Sequence, residues 1–175
     1  EIVNDLVDEW YGLDESKRIL VNDTIDFTLD SFRNKDKSIA FKKVDRSTLE
    51  IYTNKFSNVL NNSFSSPKKF FVGTVFMGDR TLQCVSVRLV DESEEAVIKV
   101  HVQEHRLKDV LNKLDELLIE ERSPSIYIRR NLRRYSAHKI SIIKPNQRRY
   151  WTKSAALRDA DETYADIMLL WRDLE

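Results

Sequence analysis

The sequence predicts an α+β protein, with N-terminal amphipathic helices followed by a mainly antiparallel sheet on which two helices pack. Three observations lead there. Apolar residues recur at helical spacing over the first third of the chain, the period shortens to an extended pattern near Phe70, and helical spacing returns twice, around Leu107–Leu118 and Ala156–Trp171. A chain of 175 residues with 41% hydrophobic content can build a real core, and only three glycines and three prolines argue against disorder or a many-turned sandwich. The expected division is an N-terminal helical region at 1–66 and an α+β domain with a basic surface at 67–175, or one compact domain overall.

The elements follow in order. Ile2, Val3, Leu6, Val7 and Trp10 share a helical face, which Tyr11-Gly12-Leu13-Asp14 ends, with Gly12 able to take the left-handed C-terminal conformation. Ser16 is placed to cap a second helix carrying Val21, Ile25, Leu29 and Phe32. Residues 34–38 form a polar loop. Ser47 and Glu50 match a capping box, behind which Leu49, Tyr52, Phe56, Val59 and Leu60 make a third apolar face that ends by Ser66-Pro67. The chain opens on Glu1 rather than Met, as expected of a fragment from a longer protein. Trp10, Phe27 and Phe32 then suggest apolar surface that once faced another domain.

Phe70 to Met77, Thr81 to Val90 and Ala96 to Val102 read as strands of an antiparallel meander, separated by a Gly78-Asp79 turn and the acidic loop Asp91 to Glu95. A helix is expected from Glu104 to about Glu121, ended by Ser123-Pro124. Ile126 to Arg130 and Lys139 to Lys144 read as two more strands, and Pro145-Asn146 as a turn. Thr152 or Ser154 would cap a last helix bearing Ala156, Ala160, Tyr164, Ile167, Met168 and Trp171, with Asp159, Asp161 and Glu162 early enough to suit its dipole.

Charge is segregated along this plan. From Arg122 to Arg158 there are eleven basic residues and no Asp or Glu, although the whole chain nets zero. Tyr127, Tyr135, Tyr150 and Trp151 are interleaved with the cations. Such a stripe is the footprint of a polyanion-binding surface, where cations neutralise phosphates and aromatic rings stack on unpaired bases. With Ile126, Ile128, Ile140 and Ile142 facing inward, Tyr127, Arg129, Lys139 and Ser141 would line an outer face. The nucleic-acid-binding residues expected are Arg129, Arg130, Arg133, Arg134, Tyr135, Lys139, Lys144, Arg148, Arg149, Tyr150 and Lys153. The competing reading pairs the stripe with the acidic remainder of the chain or with an acidic partner, and Trp151 ahead of the last helix would serve as a packing staple.

Catalytic chemistry finds little support. His101-Val102-Gln103-Glu104-His105 has the H-x-x-E-H spacing of a zinc peptidase, but that site needs both histidines on one helix, and His101 closes a strand pattern. Glu94-Glu95-Ala96-Val97-Ile98-Lys99 has the wrong spacing for a metal-dependent nuclease and reads as a solvated acidic hairpin. Three scattered glycines exclude a phosphate-cradling loop. The single Cys84 excludes an internal disulfide and reads as a buried, inert thiol. No catalytic residue, metal or cofactor is expected. No apolar run approaches about 18 residues and no signal-peptide core is present, so the chain is expected to be cytoplasmic, without a membrane partner.

Two stretches carry a resemblance. Leu6-Val7-Asp8-Glu9-Trp10-Tyr11-Gly12-Leu13-Asp14-Glu15 resembles a segment found late in bacterial adenine-N6 DNA methyltransferases of restriction-modification systems. Ile143-Lys144-Pro145-Asn146-Gln147-Arg148-Arg149-Tyr150-Trp151-Thr152-Lys153-Ser154-Ala155-Ala156-Leu157-Arg158-Asp159-Ala160-Asp161-Glu162 is similar to the tail of proteins from the same defence setting. The catalytic N-P-P-Y-type motif is missing, and so is a glycine-rich turn for S-adenosylmethionine. The resemblance therefore implies an accessory region without methyl-transfer chemistry. The function expected is a non-catalytic nucleic-acid-binding domain of a restriction-modification or anti-phage protein, with DNA favoured over RNA. The alternative is a protein-interaction or oligomerisation module that docks an acidic partner or other domains of a parent protein.

Overall fold

The structure, a computed structural model, describes residues 10–64, 69–76, 81–91, 99–101, 131–136 and 139–172. The fold is α+β. The chain forms two compact units, one from residues 1–63 with 147–175 and the other from residues 64–146. The C-terminal helix thus belongs with the N-terminal helices, whereas the division read from the sequence grouped it with the sheet.

The first unit is helical. Gly12 has φ of +59°, the left-handed conformation its position calls for, and Asp14, not Ser16, caps helix α1 (Glu15–Asp23) by accepting from the Lys17 N–H at 2.9 Å. The chain runs on through a π-helical turn, Thr24–Leu29, into the short helix α2 (Asp30–Asn34). At that junction the Leu20 carbonyl accepts from both the Thr24 hydroxyl, at 2.7 Å, and the Thr24 backbone N–H. Helix α3 is Arg46–Ser63. It is capped by Asp45, whose carboxylate accepts from the backbone N–H of Thr48 at 2.8 Å, while Glu50 is taken by Arg46. The Ser47–Glu50 capping box is therefore displaced by Asp45, two residues before Ser47.

Helix α4 (Lys153–Arg172) packs on α3, and Thr152 caps it through the Ala155 N–H at 3.1 Å. Ala155, Ala156 and Ala160 are buried there, and side chains this small let Leu49, Tyr52, Phe56 and Leu60 fill the space between the helices. Trp151 is 1% exposed and meets Tyr52 of α3 edge to face at 5.0 Å, so it is part of the core between the helices. The α1–α2 arm is different in kind: none of its side chains is buried. Its apolar stripe of Val21, Ile25, Leu29 and Phe32 lies in solvent, with Phe32 76% exposed.

The second unit is a five-stranded sheet in the order β3-β1-β2-β5-β4, with β1 Lys69–Phe76, β2 Leu82–Asp91, β3 Lys99–His101, β4 Leu132–Ser136 and β5 Lys139–Pro145. β1, β2, β5 and β4 pair antiparallel, but β3 runs parallel to β1, with Val75 opposite Val100. The expected meander is corrected at that strand: β3 adds to the far side of β1 instead of turning back along β2. Gln83 through Val87 and Ile140 through Lys144 are all buried, so both faces of the central strands are covered. This overturns the expected outer face of β5. Ser141 is buried, and its hydroxyl meets that of Ser86 at 2.8 Å. Cys84 lies on the same face and is buried as expected.

Strand β4 was not anticipated. Its Leu-Arg-Arg-Tyr sequence lacks the apolar alternation of a core strand, because it pairs on one side only among the described residues. The helix expected over 104–121, the strand over 126–130, the Gly78-Asp79 turn and the acidic loop after Asp91 lie outside the described residues. Among the described residues no helix is long and apolar enough to cross a membrane.

Candidate nucleic-acid interface

The basic window does not form one continuous element. Arg133, Arg134 and Tyr135 stand on β4, half-buried, and Lys139 begins β5. Lys144 is 3% exposed, and a side chain so enclosed does not present its ammonium to a phosphate, so it drops out of the expected surface. Arg148, Arg149, Tyr150 and Lys153 belong to the helical unit. Arg129 and Arg130 lie outside the described residues.

In the helical unit, local folding assembles a basic cluster from two distant segments. Ser38 opens a tight 3-10 turn over Ile39–Phe41, its hydroxyl accepting from the Ala40 N–H at 3.0 Å. A second such turn covers Arg148–Tyr150. The two are joined by main chain: the Arg148 N–H donates to the Lys42 carbonyl at 3.0 Å. The Arg149 guanidinium carbon lies 4.6 Å from the centre of the Phe41 ring and 4.7 Å from that of Tyr150. Lys42, Lys43 and Arg149 are exposed.

Two carboxylates temper this charge. Arg148 pairs with Asp45, and Arg46 with Glu50 at 2.8 Å. The Thr48 backbone N–H holds the Asp45 carboxyl below the usual carboxylate range, helped by the Thr48 hydroxyl and the Arg148 charge against a contrary desolvation effect. Among the described residues of the cluster, Lys42, Lys43 and Arg149 stay exposed and outside these two ion pairs. Lys42 also helps lower the Asp30 carboxyl, whose leading causes are hydrogen bonds from Ser38 and Asn34.

Lys42 and Lys43 were missed because the sequence reading followed one contiguous window. Their signal was the same interleaving of aromatic and basic residues, Phe41-Lys42-Lys43, a hundred residues upstream of Arg149-Tyr150. No charge count within one segment reveals that two such segments meet.

Beside the cluster, a cleft of about 330 Å³ opens between α1, α3 and the start of α4, lined among others by Asn22, Asp23, Asp26, Thr48, Trp151 and Lys153. The Asp23 carboxylate there accepts from the Ser154 N–H at 2.6 Å, closing the N-terminus of α4 from another helix. Carboxylates on its walls make this cleft a poor track for a polyanion. His101 ends strand β3, as its pattern predicts, while Glu104 and His105 lie outside the described residues. Among the described residues no group of three or more His, Cys, Asp or Glu side chains is placed to hold a metal ion. No family model, curated protein or solved structure matches the chain.

Proposed function

We propose that the chain is a non-catalytic nucleic-acid-binding accessory domain of a bacterial restriction-modification or anti-phage protein, acting in the cytoplasm on DNA in preference to RNA. The observation that carries this reading is the Arg148 N–H bond to the Lys42 carbonyl. It brings Arg148 and Arg149 of the acid-free window together with Lys42 and Lys43, so that basic and aromatic side chains share one part of the helical unit. Phosphates supply the complementary charge, and Tyr150 a ring beside it. The resemblance of the first and last segments to restriction-modification proteins supports the biological setting.

The test is charge reversal at a place that carries no packing. A K42E/K43E variant changes only exposed side chains, so it is expected to keep its fold and lose about 10-fold or more in duplex affinity. Unchanged affinity for both DNA and RNA would reject the reading.

A second reading, a protein-interaction module, is favoured by one specific feature. The α1–α2 arm turns Leu20, Val21, Ile25, Leu29 and Phe32 to solvent, and monomeric proteins rarely leave such a stripe bare. Molecular mass measured by light scattering across a concentration series, without nucleic acid, separates the two, because a self-associating module gains mass.

A further inference from the structure

The geometry points to Arg149 as a preset fork for a phosphodiester group, so that this unit holds nucleic acid by a bidentate backbone contact and not by diffuse charge alone. The inference rests on the nucleic-acid reading above and deepens it by naming the chemical group taken and the side chain that takes it.

A free arginine samples many rotamers and loses that freedom on binding. Arg149 is held in place by three contacts. Two rings, Phe41 and Tyr150, lie within cation–π reach of its guanidinium, and its Nε donates to the Gln147 side-chain oxygen at 3.0 Å. One of five N–H donors is thereby used, and the four on the terminal nitrogens remain for a ligand. Among the described residues no carboxylate pairs with Arg149, in contrast to its neighbour Arg148, which Asp45 engages. The side chain is exposed, so the fork is reached from solvent.

A planar pair of parallel donors matches two oxygens of one phosphate, a geometry that a lysine ammonium does not reproduce. Lys42 and Lys43 supply additional positive charge from the segment that Arg148 ties down. The same fork also fits the O6 and N7 acceptors of guanine, so the phosphate assignment requires that binding not depend on guanine.

The experiment measures anisotropy of labelled duplexes with the full chain, using an A/T-only duplex and a G/C-containing duplex of equal length. Wild type is expected to bind both alike. R149K keeps the charge and loses the fork, and is expected to weaken both duplexes about 5- to 10-fold with little change in salt slope. F41L keeps every charge and removes one ring, and is expected to weaken both in the same direction by a smaller factor. If R149K binds as wild type does while K42E/K43E is impaired, the fork is wrong and the nucleic-acid reading stands. A loss confined to the G/C-containing duplex overturns the phosphate assignment. Failure of wild type to bind either duplex overturns the reading and the inference together.

Discussion

The Tyr52 hydroxyl donates to the Asp159 carboxylate across 2.5 Å, joining helices α3 and α4 through two side chains that are 0% and 1% exposed. A buried carboxylate needs donors, and this phenol is one of them. Tyr52→Phe keeps the ring and its contacts with Phe56 and Trp151 but removes that donor. The loss expected is about 1–3 kcal/mol in chemical denaturation, with the m-value unchanged. A stability equal to wild type would show that the bond contributes nothing net.

In the sheet, Ser86 and Ser141 face each other on β2 and β5 with their hydroxyls 2.8 Å apart. Among the described residues Ser141→Ala leaves the Ser86 hydroxyl with the Cys84 sulfur at 4.0 Å as its one side-chain partner. It is expected to cost about 1–3 kcal/mol, because the remaining hydroxyl stays buried without a good partner. The double alanine variant should be closer to wild type than the sum of the single changes, since both polar groups then leave together. Additive losses in a double-mutant cycle would contradict the pairing.

Burial pushes the Cys84 thiol up to about 11 from an ordinary 9.0, against a smaller opposing effect of the Ser86 hydroxyl. Well below pH 9.0 both folded and unfolded chains keep the proton and the group leaves stability unaffected. As pH rises from there toward about 11, the unfolded chain releases its proton first and stability falls. Native protein should therefore resist alkylation at pH 8 and react readily once denatured. Equal rates in the two states would contradict the burial.

Asp45 has two partners with different consequences. Its carboxylate caps α3 through Thr48 and pairs with Arg148. Because its carboxyl is held below the ordinary value of 3.8, the stability it contributes is present above that pH and fades as pH falls through the depressed value. Asp45→Ala is expected to cost about 1 kcal/mol as a lost cap. Asp45→Asn keeps an acceptor and should cost less, while removing the acid-dependent component. Both variants remove the carboxylate charge opposite Arg148, so duplex affinity is expected to rise as stability falls. A parallel fall in both would mean that Asp45 orders the cluster instead of restraining it.

Much of the architecture was legible because local chemistry and tertiary packing agree there. The apolar face of α3, the Thr152 cap of α4, the left-handed Gly12 and the β1–β2 pair all follow from spacing and residue type. Strand β4 was not legible, since a strand that pairs on one side among the described residues needs no apolar alternation. The parallel placement of β3 was hidden too, because side-chain alternation is the same for either direction. At the candidate site, Arg148, Arg149 and Tyr150 were singled out from charge segregation. Their Phe41-Lys42-Lys43 counterpart was not, because only the fold brings the two segments together. Lys144 was misjudged for a related reason: a cation inside an apolar run can be enclosed by its own sheet.

The most direct test of the nucleic-acid reading is duplex and single-strand affinity across a salt series from about 50 to 200 mM, for wild type and for K42A/K43A. A phosphate-tracking surface predicts a linear fall of log affinity with log salt, of about −0.9 per duplex phosphate contact, and a slope shallower by up to about two contacts in the variant. Absence of binding at the low-salt end, or a slope that the two lysines do not change, would contradict it.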